Sequence, residues 1–115
     1  MTNIKDIETA LSLFEEAATK HAEATKQGDY KTGNKYYNKV VKVVSYLKEQ
    51  NSLDELMKFL TSDIVGIRLV AATYLLPKHE KKGIEVLEAI SKSSDFFSFI
   101  AETTLSEWRK GNLKL

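Results

Sequence analysis

Residues 64–76, IVGIRLVAATYLL, constrain this chain more than any other stretch. Among these thirteen residues only Gly66, Arg68, Thr73 and Tyr74 are not plainly aliphatic. Asp63 has the side chain of a good N-cap, and Pro77 cannot continue a helix. A helix that is apolar on nearly every side must be enclosed by other elements or by lipid. The run would rise about 20 Å, and a bilayer needs roughly 20 residues. Arg68 near its start also argues against lipid. The stretch reads as the central buried helix of a small all-α domain.

The rest of the composition agrees with that class. One proline and five glycines in 115 residues favour helices over a turn-rich sheet protein. One domain is expected, residues 1–111, with a loose tail at 112–115. There are no cysteines, which excludes a disulfide framework and a thiolate metal site. The first residues lack the charged start and apolar run of a signal peptide. The expected location is cytoplasmic, with no membrane contact. A net charge of +1 gives no long-range field of one sign.

Taken in order, the pattern predicts about six helices. The first covers 4 to about 26, with Ile4, Ile7, Leu11, Phe14 and Ala17 or Ala18 inward. Thr2 or Asn3 would cap it, and Gly28 would end it. Glu8, Glu15, Glu16 and Glu23 form its solvent face. Asp29 caps a second helix, about 30–49, with Tyr37, Val40 or Val41, Val44 and Leu47 inward. Four valines within five positions are a poor local choice for a helix, and a strand is the alternative there. Ser52 with Glu55 resembles a capping box before a short helix at Leu53, Leu56, Met57 and Leu60. After Pro77, residues 79–92 form a fifth helix. Ser93-Ser94-Asp95 turns the chain into a sixth, which Gly111 closes.

The second half repeats at an offset of thirty residues. Leu56, Met57 and Leu60 fall on Val86, Leu87 and Ile90. Ile67, Val70, Ala71 and Leu75 fall on Phe97, Ile100, Ala101 and Leu105. A repeated helix pair is the mark of an α-solenoid. Asp63-Ile64-Val65-Gly66-Ile67-Arg68-Leu69-Val70-Ala71-Ala72 resembles the second helix of a HEAT repeat. Gly33-Asn34-Lys35-Tyr36-Tyr37-Asn38, Ile67 to Ala72, and Thr104-Leu105-Ser106-Glu107-Trp108 with Gly111 together resemble a small bacterial HEAT-like family known only as a domain of unknown function. The resemblance implies three antiparallel helix pairs in a short HEAT-like superhelix. It brings no catalytic residues and no cofactor. By analogy with other small helical proteins, it allows an immunity protein that blocks a cognate toxin.

Arg68 is the sharpest single residue. A charge in so apolar a helix must be paired or reach an edge. It would hold Asp63, another carboxylate, or carbonyls at a helix end; an anion-binding role is the alternative. Asp63, Arg68, Pro77 and Trp108 are the residues expected to fix the structure. His79-Glu80-Lys81-Lys82-Gly83 lacks the second histidine of the zinc-protease helix, so no metal site is expected. Glu15-Glu16 reads as a solvated face, and no serine or threonine shows a partner base.

Lys31, Lys35, Lys39 and Lys42 share one face of the second helix, beside Tyr36 and Tyr46. Residues 29–50 carry +3, and residues 1–28 carry −2. The ordinary reading is a solvated face matched by the acidic first helix through exposed pairs worth about 0–1 kcal/mol each. The functional reading takes Lys35, Tyr36, Lys39, Lys42 and Tyr46 as a binding surface. The function expected is a non-enzymatic protein-binding module, with a toxin as the most specific partner and a monomer or homodimer as the state. Nucleic-acid binding through the lysine-rich helix is the alternative. A small enzyme with a site assembled in space comes third.

Overall fold

Two adjacent residues, Gly28 and Asp29, make the first hairpin. In the computed structural model, which describes residues 4–115, helix α1 runs Ile7–Gln27 and α2 runs Tyr30–Glu49. Gly28 adopts the left-handed conformation, φ 70°, that ends a helix without a Cβ penalty. The Asp29 carboxylate accepts the Thr32 N–H at 3.1 Å and starts α2. At the other end of the hairpin α1 starts later than its apolar pattern predicts. Asp6 caps it by accepting the Thr9 N–H at 2.7 Å. Ile4 is therefore outside the helix, and the expected caps Thr2 and Asn3 lie outside the described residues. Both capping carboxyls are held below the usual carboxylate range. For Asp6 the cause is hydrogen bonding from Thr9, its backbone N–H foremost; for Asp29 it is hydrogen bonding from Thr32.

Five α-helices and one 3-10 helix occur among the described residues, with no strand. The fold is all-α. The chain divides into two compact units, residues 1–56 and 57–115. In the first, α2 packs along α1. Alanines 10, 17, 18, 22 and 24 let the helices approach, and Phe14, Val40, Val43, Val44 and Leu47 fill the space between them. Full burial of such side chains stabilises by about 1.5–3 kcal/mol each. That outweighs the few tenths that β-branching costs in a helix. The valine run is accordingly helical, with Val40, Val43 and Val44 inside and Val41 outside.

The short helix expected at Leu53 is present, as a 3-10 helix over Leu53–Thr61. Ser52 does not form a capping box: its hydroxyl turns back to the Gln50 carbonyl at 3.0 Å. Asn51, at φ 54°, has already redirected the chain.

In the second unit α3 runs Val65–Leu75, α4 runs Glu80–Ser91 and α5 runs Ser98–Arg109. Helix α4 packs on both α3 and α5. Every residue of α3 is buried or half-buried, as its apolar sequence demands. The thirty-residue repeat survives best in α3 and α5. Ile67 and Phe97, Ala71 and Ala101, and Leu75 and Leu105 are buried pairs; Val70 and Ile100 are both half-buried. It survives less well one helix earlier, where a 3-10 segment stands against α4. Gly111, at φ 76°, ends α5. The Trp108 indole N–H donates to Glu80 Oε2 at 2.8 Å and ties the end of α5 to the start of α4.

Candidate functional site

The expected cap at Asp63 is not made. Helix α3 begins at Val65 after an extended Ile64 with no side-chain cap. Ser62 closes the turn instead: its hydroxyl accepts the Ile64 N–H at 3.1 Å. Arg68 reaches back over that turn, and its Nη1 donates to the Ser62 carbonyl at 2.6 Å. The guanidinium therefore holds a carbonyl at a helix end, not the exposed Asp63. Its remaining edge borders a small open groove of about 230 Å³ with Leu60, Glu85, Val86 and Ile90.

Helix α2 carries the chemistry on the first unit. Its buried side starts from Gly33, which lies against Ala24 and His21 of α1, and Tyr36 one turn on is half-buried. Tyr37, placed in the core by its spacing, is instead 46% exposed. Its ring meets His21 at 5.8 Å between centroids. The His21 Nδ1 lies 3.0 Å from the Gly33 carbonyl, which can only accept, so the Nδ1–H tautomer donates there.

Three ammonium groups gather on the Tyr36 ring. Lys39 Nζ lies 5.0 Å from its centroid, Lys35 Nζ 5.4 Å and Lys20 Nζ 5.7 Å. Each is within the range of a cation–π contact. Lys35 and Lys39 are one turn apart on α2, and Lys20 comes across from α1. Sequence reasoning missed Lys20 because it belongs to the acidic helix. Counting equally outward from the Gly28–Asp29 turn brings residues 20–21 of α1 level with 36–37 of α2, so the hairpin places Lys20 near the tyrosine pair but does not tell which ring it meets.

The predicted charge matching between the helices does not occur. None of Lys31, Lys35, Lys39 and Lys42 forms an ion pair among the described residues, nor does any of Glu8, Glu15, Glu16 and Glu23. The two faces are separately solvated. Away from the lysines around the helix, Tyr30 (81% exposed), Tyr37 and Val41 form a separate exposed stripe along α2 at seven- and four-residue spacing. Lys42 and Tyr46 lie further along the helix, and neither is brought onto the Tyr36 ring.

The second unit offers other surfaces. An open groove of about 470 Å³ between α4 and α5 is lined by Glu88, Lys92, Glu102, Leu105, Arg109 and Lys110. Arg109 and Glu88 pair across it at 3.3 Å, with both side chains well exposed. Phe97 is buried, but Phe96 and Phe99 stand out at 54% and 73% exposed. No group of three His, Asp or Glu able to hold a metal ion occurs among the described residues. None of their helices is long and apolar enough to cross a membrane.

No protein-family model matches the chain, and no curated protein sequence matches it. Among solved structures, the fold is similar to the crystal structure of the protein RPA1889 from Rhodopseudomonas palustris CGA009, with a TM-score of 0.86. That similarity covers 96% of this chain and 93% of the other at 21% identity, and it establishes the shared all-α fold.

Proposed function

We propose that the chain is a protein-binding module of HEAT-like type whose contact surface is the outer face of α2, and that its partner presents an acidic surface. The carrying observation is the lysine row of α2, with no ion pair among the described residues and with Lys35 and Lys39 gathered on the Tyr36 ring. Aromatic side chains next to cations that no internal carboxylate neutralises have the make-up of an interface. Complementary charge would speed encounter and fix register more than it adds affinity.

The same lysines support nucleic-acid binding, but the neighbouring helix weighs against it. Glu8, Glu15, Glu16 and Glu23 line the exposed face of α1 in the same hairpin. An extended polyanion following α2 would meet them, whereas a compact acidic patch would not. An immunity protein paired with a toxin is the most specific form of this reading, and it rests on resemblance alone.

Co-purification from the host tests the proposal. The wild-type chain is expected to retain one specific protein at low salt. Lys31→Glu with Lys42→Glu should lose it without lowering the melting temperature. Equal retention by both chains, or recovered material that nuclease removes, would overturn it.

A further inference from the structure

We infer that Lys20, Lys35 and Lys39 around Tyr36 form a seat for a carboxylate side chain of the acidic partner. The inference rests on the protein-binding reading of α2 and assigns its anchor point. The three ammonium groups lie within 5.7 Å of one ring centroid. Each is well inside the screening length of about 10 Å at 0.1 M salt from the ring, so their fields add around its edge.

The ring accounts for the gathering only in part. A cation–π contact at an exposed site contributes about 0.5–1 kcal/mol. Against that, Lys35 and Lys39 are like charges one helical turn apart, a destabilising arrangement. None of the three has a carboxylate partner among the described residues. The free protein therefore holds three mutually repelling cations whose repulsion an arriving anion would relieve. Lys20 arrives from α1, so the seat exists only in the folded hairpin and is fixed by the Gly28–Asp29 turn.

The occupant is a single Asp or Glu side chain, which reaches the ring without extending over Glu16 and Glu23 on either side of Lys20, whereas a nucleic-acid backbone would carry further phosphates past them.

The probe is a short peptide carrying two adjacent glutamates, a compact acidic group, titrated into the full chain at low salt and followed by NMR. A single-stranded oligothymidylate serves as the parallel arm. Glutamate binding should shift the Tyr36 ring and the Lys20, Lys35 and Lys39 side-chain signals. Lys35→Gln with Lys39→Gln should weaken it about fivefold to tenfold by loss of two charge-assisted contacts, with the melting temperature unchanged or raised. If the peptide shifts Lys31 and Lys42 but leaves the Tyr36 cluster unmoved, the seat is wrong and the α2 surface stands. Absence of any shift on α2 removes both. Tighter binding of the oligothymidylate than of the peptide overturns the carboxylate assignment.

Discussion

Gly83 of α4 lies so close to Ala72 of α3 that a Cβ added to it would stand 2.9 Å from the Ala72 carbonyl oxygen and 2.8 Å from Leu76 Cδ2. A carbonyl in the middle of a helix cannot move aside as a flexible side chain can. Gly83→Ala is therefore expected to destabilise the protein by about 1–3 kcal/mol despite alanine's better helix propensity. Gly33→Ala is the contrasting case. The nearest atoms to its added Cβ are ordinary contacts at 3.8 and 3.9 Å. There the helix-propensity gain of about 0.8–1.0 kcal/mol should appear. Urea midpoints of the two variants, moving in opposite directions, check the pair.

Arg68 and Asp63 separate in the same way. A charged donor on a half-buried carbonyl contributes about 1.5–3 kcal/mol. Arg68→Ala should lower stability by roughly that amount through loss of the bond to Ser62. Asp63→Ala, an exposed change without a cap to lose, should stay within about 0.5 kcal/mol of wild type. A larger loss at Asp63 than at Arg68 in thermal unfolding would restore the capping reading of the sequence.

Acid should weaken the first hairpin through its two caps. The hydrogen bonds that Asp6 accepts from Thr9 and Asp29 from Thr32 hold both carboxyls below the usual aspartate range in the folded chain. A lowered folded pKa means stability that is present above the unfolded value and lost as pH falls through the folded one. Unfolding midpoints measured from neutral pH to below 4 should therefore fall at the acid end. Asp6→Asn with Asp29→Asn should flatten that part of the profile. An equally steep fall in the double variant would place the acid-sensitive groups elsewhere.

Trp108 joins two helix ends by one bond to Glu80. Trp108→Phe removes the donor and keeps most of the apolar ring, so a loss of about 1 kcal/mol is expected. Glu80→Gln keeps an acceptor and should lose less. The two values from denaturant curves, taken with the double variant, give the coupling.

Much of the fold is legible in the residues because local and long-range signals agree. Gly28 followed by Asp29 spells both a stop and a start. Pro77 bars continuation of α3, and the apolar run before it is enclosed as expected. The misreadings occur where one residue's step decides the outcome. Tyr36 and Tyr37 differ by about 100° around the helix, and it is Tyr36, one turn from the buried Gly33, that is half-buried while Tyr37 is exposed. Asp63 and Ser62 both have side chains suited to capping, but α3 starts at Val65 with no side-chain cap, and Ser62 bonds within the turn before it. Asp6 takes the cap of α1 from residues nearer the terminus. The site was half visible: the lysine row of α2 is a period in one segment, but Lys20 joins it only through the hairpin.

Residue-resolved photo-crosslinking tests the central claim most directly. A crosslinking side chain at Asn38, exposed on α2 beside Lys31, Lys35 and Lys42, is compared with one at Ser106 on the α4–α5 groove. The α2 surface predicts that a single acidic protein is captured in the host at position 38 and not at 106, with the capture lost when Lys31 and Lys42 are reversed to glutamate. Capture at position 106 alone, or of nucleic acid at position 38, would contradict it.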